Sequence, residues 1–171
     1  MAGRRRNASE TDRRSDSRER SLTLLYEAET KDLSGHDVLA AQVVEPDDLT
    51  RILVGGVHDH RERIDELIAA NARGWTLGRM PEIDKTVLRI AIFELMSRPE
   101  VPKAVVIDEA VRLAKRFSTD DSGRFVNGML TTISKIVRPP VITPPDATPT
   151  PSSEEHSAES VAIPSARADP G

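Results

Sequence analysis

The chain has 171 residues, with 24 Lys and Arg against 28 Asp and Glu, and no cysteine. This length suits one domain with tails, and the lack of cysteine excludes disulfides, thiolate metal sites and cysteine nucleophiles. The net charge of −4 hides a basic start, with seven arginines against four acids in residues 1–20, and an acidic end, with five acids, one arginine and eight prolines in residues 139–171.

In chain order, residues 1–16 read as a basic disordered arm. Helical periodicity then recurs, with usable start and stop signals. The first helix is expected over residues 18–30, with Ser17 as N-cap, Leu22, Leu25 and Ala28 inward, and Leu33 closing the following turn. Residues 38–44 suggest a second, short helix. A third begins at Pro46, with Asp47 and Asp48 favourable at its positive end. Its apolar series is Leu49, Ile52, Leu53, Val57, Ile64, Leu67 and Ile68, and it should stop near Gly74. Gly55 and Gly56 inside it each cost about 1 kcal/mol against alanine, which points to close approach of another helix.

The fourth helix, residues 81–97, is apolar on nearly every side and belongs in the middle of a bundle. The fifth starts near Pro102, with Ala104, Ile107, Ala110, Val111, Ala114 and Phe117 inward and an Asp108–Arg112 pair outward. Asp120 or Asp121 caps a sixth, whose inward series is Phe125, Val126, Met129, Leu130, Ile133 and Ile136. Sustained period-2 alternation is missing. The fold class is therefore all-α, a compact bundle of about six to seven helices, spanning residues 17–138. Residues 139–171, rich in proline and acids, cannot bury enough apolar surface to order and read as a disordered tail. No apolar run approaches the ~18 residues of a membrane span, and no apolar stretch follows the basic start. A soluble, cytoplasmic protein is the expectation.

Catalytic motifs are missing: there is no phosphate-binding loop, no nucleophile elbow and no HExxH. His58 and His60, two apart on a helix, point about 200° apart and cannot share a metal. The aspartate pairs stand where helix N-termini favour negative charge. No cofactor, metal or small-molecule substrate is expected.

Three features can carry function. The first is the arginine cluster Arg4–Arg6, Arg13, Arg14, Arg18 and Arg20, whose guanidinium forks suit phosphates. A solubilising tail is the alternative, because arginine is favoured over lysine throughout the chain. The second is Tyr26, the only tyrosine, able to stack an unpaired base or simply half-buried. The third is the junction 116–128, where arginines, aromatics, acids and Asn127-Gly128 meet; Phe117 reads as core, Phe125 as ambiguous, and Asn127-Gly128 as compatible with tight packing.

RRSDSRERSLTLLYEAE at 13–29, IDKTVLRIAIFEL at 83–95 and VPKAVVIDEAVRLAKRFSTDDSGRFVNGML at 101–130 resemble the NusB family of transcription antitermination factors. The resemblance runs over residues 13–136. It implies an all-helical fold of two small sub-bundles without enzymatic activity. It also implies single-stranded RNA of the boxA type as ligand, bound together with the ribosomal protein NusE in the RNA polymerase antitermination complex. By position, the family's RNA surface falls on Arg13, Arg14, Arg18, Tyr26, Asp121, Arg124 and Phe125, and its NusE-facing acidic position on Asp84. Asp12, Asp16 and Glu19 interrupt the arginine cluster, a departure that implies modest RNA affinity or dependence on NusE. A helical adaptor binding protein alone is the competing reading, separable by deleting residues 1–17. NusB-like domains also precede ribosomal RNA methyltransferases, but the Pro-rich segment after Arg138 offers no cofactor-binding domain, so an enzyme is not expected.

Overall fold

The computed structural model describes residues 2–140, with side chains from residue 9 onward, and the expected tail lies outside the described residues from 141. Among the described residues there are seven helices and no strand. They are α1 (Ala2–Thr30), α2 (Gly35–Ala40), α3 (Asp48–Asp59), α4 (Arg61–Asn71), α5 (Glu82–Ser97), α6 (Lys103–Phe117) and α7 (Ser122–Val137), with a 3-10 turn at Leu77–Arg79 before α5. Helices α1, α2 and α3 pack together, as do α4 to α7. Helix α5 joins the two groups, touching α1, α3, α4, α6 and α7.

Helix α1 starts well before the expected position, because residues 4–34 contain no glycine or proline to stop it. Side-chain pairs one turn apart, Arg13 with Ser9 and Arg14 with Glu10, support its exposed first half. Ser17 is therefore no N-cap. It lies inside the helix, its hydroxyl 2.9 Å from the Arg13 carbonyl and 2.8 Å from Asp47 Oδ1. Leu22, Leu25 and Ala28 are buried as expected, and Leu24 joins them. The helix closes with the Leu33 N–H on the Ala28 carbonyl at 2.8 Å and the Asp32 N–H on Glu29 at 3.5 Å. Asp32 takes the left-handed conformation this closure requires, at φ +53°.

Helix α2 ends at Ala40, short of the expected 44, and Val43 and Val44 are exposed in the connection after it. The expected third helix is two. Asp47 caps α3, accepting from the Thr50 N–H at 3.0 Å, and Leu49 packs partly buried against the core while Ile52 faces solvent. The chain bends at His60 (φ −108°, ψ 14°), which ends α3 and begins α4. The ring of His60 stands 5.5 Å from that of Phe93, and its Nδ1 lies 2.9 Å from the Gly56 carbonyl. The close approach inferred from Gly55-Gly56 is made at Gly56: a Cβ there would lie 2.0 Å from Phe93 Cζ, whereas one on Gly55 would meet the His36 ring alone, no nearer than 3.4 Å at Cε1.

Helix α5 is the central helix expected, buried from Thr86 through Leu95. Ala110 and Ala114 of α6 face inward and Ile107 and Val111 pack partly buried, but Ala104 is exposed and Val106 takes the inward position. Phe117 is not core: it is exposed, with the Arg116 guanidinium 4.9 Å from its ring centre. Arg112 pairs with Glu109 at 2.9 Å rather than with Asp108. On α7, Val126, Met129, Leu130 and Ile133 are buried and Ile136 is exposed. Asp121 precedes α7 without a side-chain cap bond. Asn127 and Gly128 are exposed and serve no packing role.

Two charges on α5 are paired inside the protein. Glu94 accepts from Arg18 Nε and Nη2, both at 2.8 Å, with both side chains almost fully buried. Burial opposes the Arg18 charge, but the bonds and charge of Glu94 outweigh it, and the guanidinium pKa is raised. Arg89 donates to Asp65 from α4 at 2.8 and 2.9 Å. The end of α5 is closed by Arg138, which donates to the carbonyls of Glu94, Leu95, Arg98 and Val101 at 2.6–2.7 Å. These include carbonyls that a helix terminus leaves without intrahelical partners.

Two pairs of variants test this packing, all measurable by urea denaturation. Gly56→Ala should destabilise by about 1–3 kcal/mol through displacement of Phe93. Gly55→Ala should be neutral or stabilising by up to ~1 kcal/mol. Arg18→Met should cost about 3–5 kcal/mol by stranding the Glu94 charge, and adding Glu94→Leu should recover most of that loss. Equal losses in both glycine variants, or no recovery in the double variant, would contradict these assignments.

Candidate nucleic-acid interface

The arginines gathered at the start of the sequence are sorted by the fold into different tasks. Arg13 and Arg14 lie on the exposed side of α1 and border a groove of about 620 Å³ against Asp47, Asp48 and Leu49. Glu10 partly neutralises Arg14. Arg20 donates to the Val44 carbonyl at 2.8 Å and so holds the connection before α3. Arg18 is 3 % exposed, and its two short bonds go to Glu94. It ties α1 to α5, and reaching a phosphate would require breaking this buried ion pair. Glu19, expected to dilute the cluster, pairs with Arg116 of α6 at 2.6 Å.

Tyr26 is 42 % exposed on α1, leaving part of its ring accessible. Asp84, expected to face a protein partner, is 3 % exposed. Its Oδ2 accepts from the Ser122 hydroxyl at 2.8 Å, which fastens the start of α7 to the start of α5. Its Oδ1 is buried without a hydrogen-bond partner among the described residues.

Asp121, Arg124 and Phe125 come together at the first turn of α7, along an open groove of about 860 Å³ between α4 and α7. The Arg124 side chain is 90 % exposed, its nearest acid being Asp121 at 3.8 Å; an exposed pair at that distance leaves the guanidinium free for another anion. Phe125 is half-buried, and its ring lies 6.1 Å from that of Trp75. Trp75, 51 % exposed, and Arg73 line the same groove. Neither belongs to a helix, and helical periodicity therefore gives no signal for them. The available clue was the placement of the only tryptophan in a short polar connection beside Gly74.

His58 and His60 do not converge, as their spacing implies. His58 instead approaches His36 of α2, with rings 5.1 Å apart, and His36 Nε2 lies 2.7 Å from Asp59 Oδ1. The hydrogen bond to His36 holds the Asp59 carboxyl below its ordinary pKa. No helix of the described residues is long and apolar enough to cross a membrane.

Comparison with known proteins agrees with this architecture. Residues 15–135 match the model of the NusB family. The transcription antitermination protein NusB of Saccharopolyspora erythraea is 47 % identical over 129 residues, covering 72 % of this chain and 87 % of its own. T. maritima NusB superposes with a TM-score of 0.66 at 32 % identity, over 71 % of this chain and 90 % of the other. A chain in the crystal structure of a plectonemic RNA supercoil superposes with a TM-score of 0.63 at 25 % identity, over 72 % of this chain and 94 % of its own. The sequence blocks, the helical order and these likenesses agree, and the chain belongs to the NusB family of transcription antitermination proteins.

Proposed function

We propose that this chain binds the boxA element of nascent ribosomal RNA transcripts, together with the ribosomal protein NusE. In this reading it helps RNA polymerase pass termination signals in the cytoplasm, and it carries no catalytic step. The observation that carries the reading is the free Arg124 beside the half-exposed Phe125, at the position implied by the family resemblance. Exposed Arg13 and Arg14 supply further phosphate contacts, and Tyr26 an additional aromatic surface. Asp121 contributes carboxylate acceptors at the helix start, suited to a base amino group. Arg18 and Asp84 act only through the fold.

Single-stranded RNA offers base faces and edges that a duplex hides, so exposed rings and helix ends can read it. Guanidiniums supply affinity without sequence preference, while contacts to bases supply the preference. The protein-only adaptor remains the competing reading, because Glu10 already occupies part of the basic surface.

The test is binding of the full chain to a boxA-like RNA and a scrambled control across a salt series, with and without NusE. Arg13→Ala and Arg124→Ala should weaken both RNAs and each flatten the log–log salt slope by about 0.7. Phe125→Ala should leave that slope in place and reduce the preference for boxA. If neither RNA binds, even with NusE, the reading is overturned in favour of the adaptor.

A further inference from the structure

The turn after α4 presents Trp75 with part of its indole ring bare. The Trp75 N–H closes this turn on the Ala72 carbonyl at 3.1 Å, and Gly74 occupies its third position at φ +74°. A side chain there would be strained, and the turn calls for glycine at this position. The backbone therefore holds Trp75 in place although more than half of the residue stays in water. Leaving a large aromatic surface bare forgoes the stabilisation its burial would bring.

Its surroundings point to a ligand class. The Trp75 and Phe125 rings lie 6.1 Å apart with 38° between their planes. Both border the 860 Å³ groove, and both also border a recess of about 170 Å³ beside Pro81. Arg73 and Arg124 line the groove next to the rings. Arg73 is exposed and forms no ion pair among the described residues. Two available cations beside two aromatic faces suit a strand that is anionic along its backbone and flat in its bases. Stacking on aromatic rings combined with a basic track is how unpaired nucleic acid is held. The groove is also continuous with Asp121, Arg124 and Phe125, the proposed RNA surface.

We propose that Trp75 is a base-stacking residue, and that the groove between α4 and α7 seats unpaired nucleotides of the bound RNA, with Arg73 and Arg124 on their phosphates. This rests on the RNA-binding reading above and extends it to residues outside the surface implied by the family resemblance. A protein segment in the groove is the outcome that would displace it.

Because the chain has one tryptophan, its emission reports on this position alone. The experiment titrates the full chain with a labelled boxA-like single-stranded RNA, reading RNA anisotropy and tryptophan emission together. Quenching that tracks the anisotropy is expected. Trp75→Ala should weaken binding about ten-fold with the salt slope unchanged, Trp75→Phe should restore most of the affinity, and Arg73→Ala should flatten the slope by about 0.7. Anisotropy that rises while emission stays constant, with Trp75→Ala binding like the parent, would overturn the stacking role and leave the RNA-binding reading standing. Silence in both channels, with or without NusE, would remove both. An emission change produced by NusE alone, and unaltered by RNA, would assign the groove to protein and overturn the proposal.

Discussion

A charge buried without a partner is costly, and α5 carries two charges in the stretch from Thr86 through Leu95. Arg89 and Glu94 are 4 % and 1 % exposed. Each draws a partner from a different element: Glu94 holds Arg18 of α1, and Arg89 holds Asp65 of α4. An uncompensated buried charge would cost several kcal/mol, so helices α1 and α4 are constrained in register as well as in contact. Arg138 adds a third tie, closing the end of α5 from the residue just after α7. The apolar core supplies the general driving force, and these polar partners restrict how the helices can be arranged around α5.

That requirement also decides which arginines remain for another molecule. Arg18 and Arg20 are consumed by the fold, one on Glu94 and the other on a backbone carbonyl. Arg13, Arg14 and Arg124 stay at the surface, and Arg73 joins them from a connection between helices. The basic surface is thus spread over α1, the turn after α4 and the start of α7. Charge in this protein is better understood by partner than by position in the chain, because a guanidinium already held by a buried carboxylate has little left to offer a phosphate.

The aromatic side chains divide in the same way. Phe93 lies on Gly56 and fixes the distance between α3 and α5. Phe125 and Trp75 stand at the border of a groove instead, one raised by the first turn of α7 and the other by a glycine turn. Ser122 and Asp84 hold the start of α7 against α5, so the groove is built on rigid elements. A site supported in this way keeps its geometry before a ligand arrives, which reduces the ordering cost of binding.

Sequence alone determined the helical class, the central place of α5 and a close approach within the Gly55-Gly56 pair, which the structure makes at Gly56, because each follows from local periodicity or from the cost of glycine in a helix. It also carried the family likeness through three ordered blocks. Tertiary structure decided the rest. Whether Arg18 meets a phosphate or Glu94 depends on a residue 76 positions away, and no local pattern encodes that choice. The break at His60 arises where its ring meets Phe93 from another helix. Phe117 follows the apolar period of α6 yet ends exposed beneath Arg116, and Asp84 looks outward by charge yet is buried under Ser122. Trp75 gains meaning only beside Phe125, fifty residues later in the chain. Periodicity identifies the buried face of a helix, but the partner across that face is set by long-range packing.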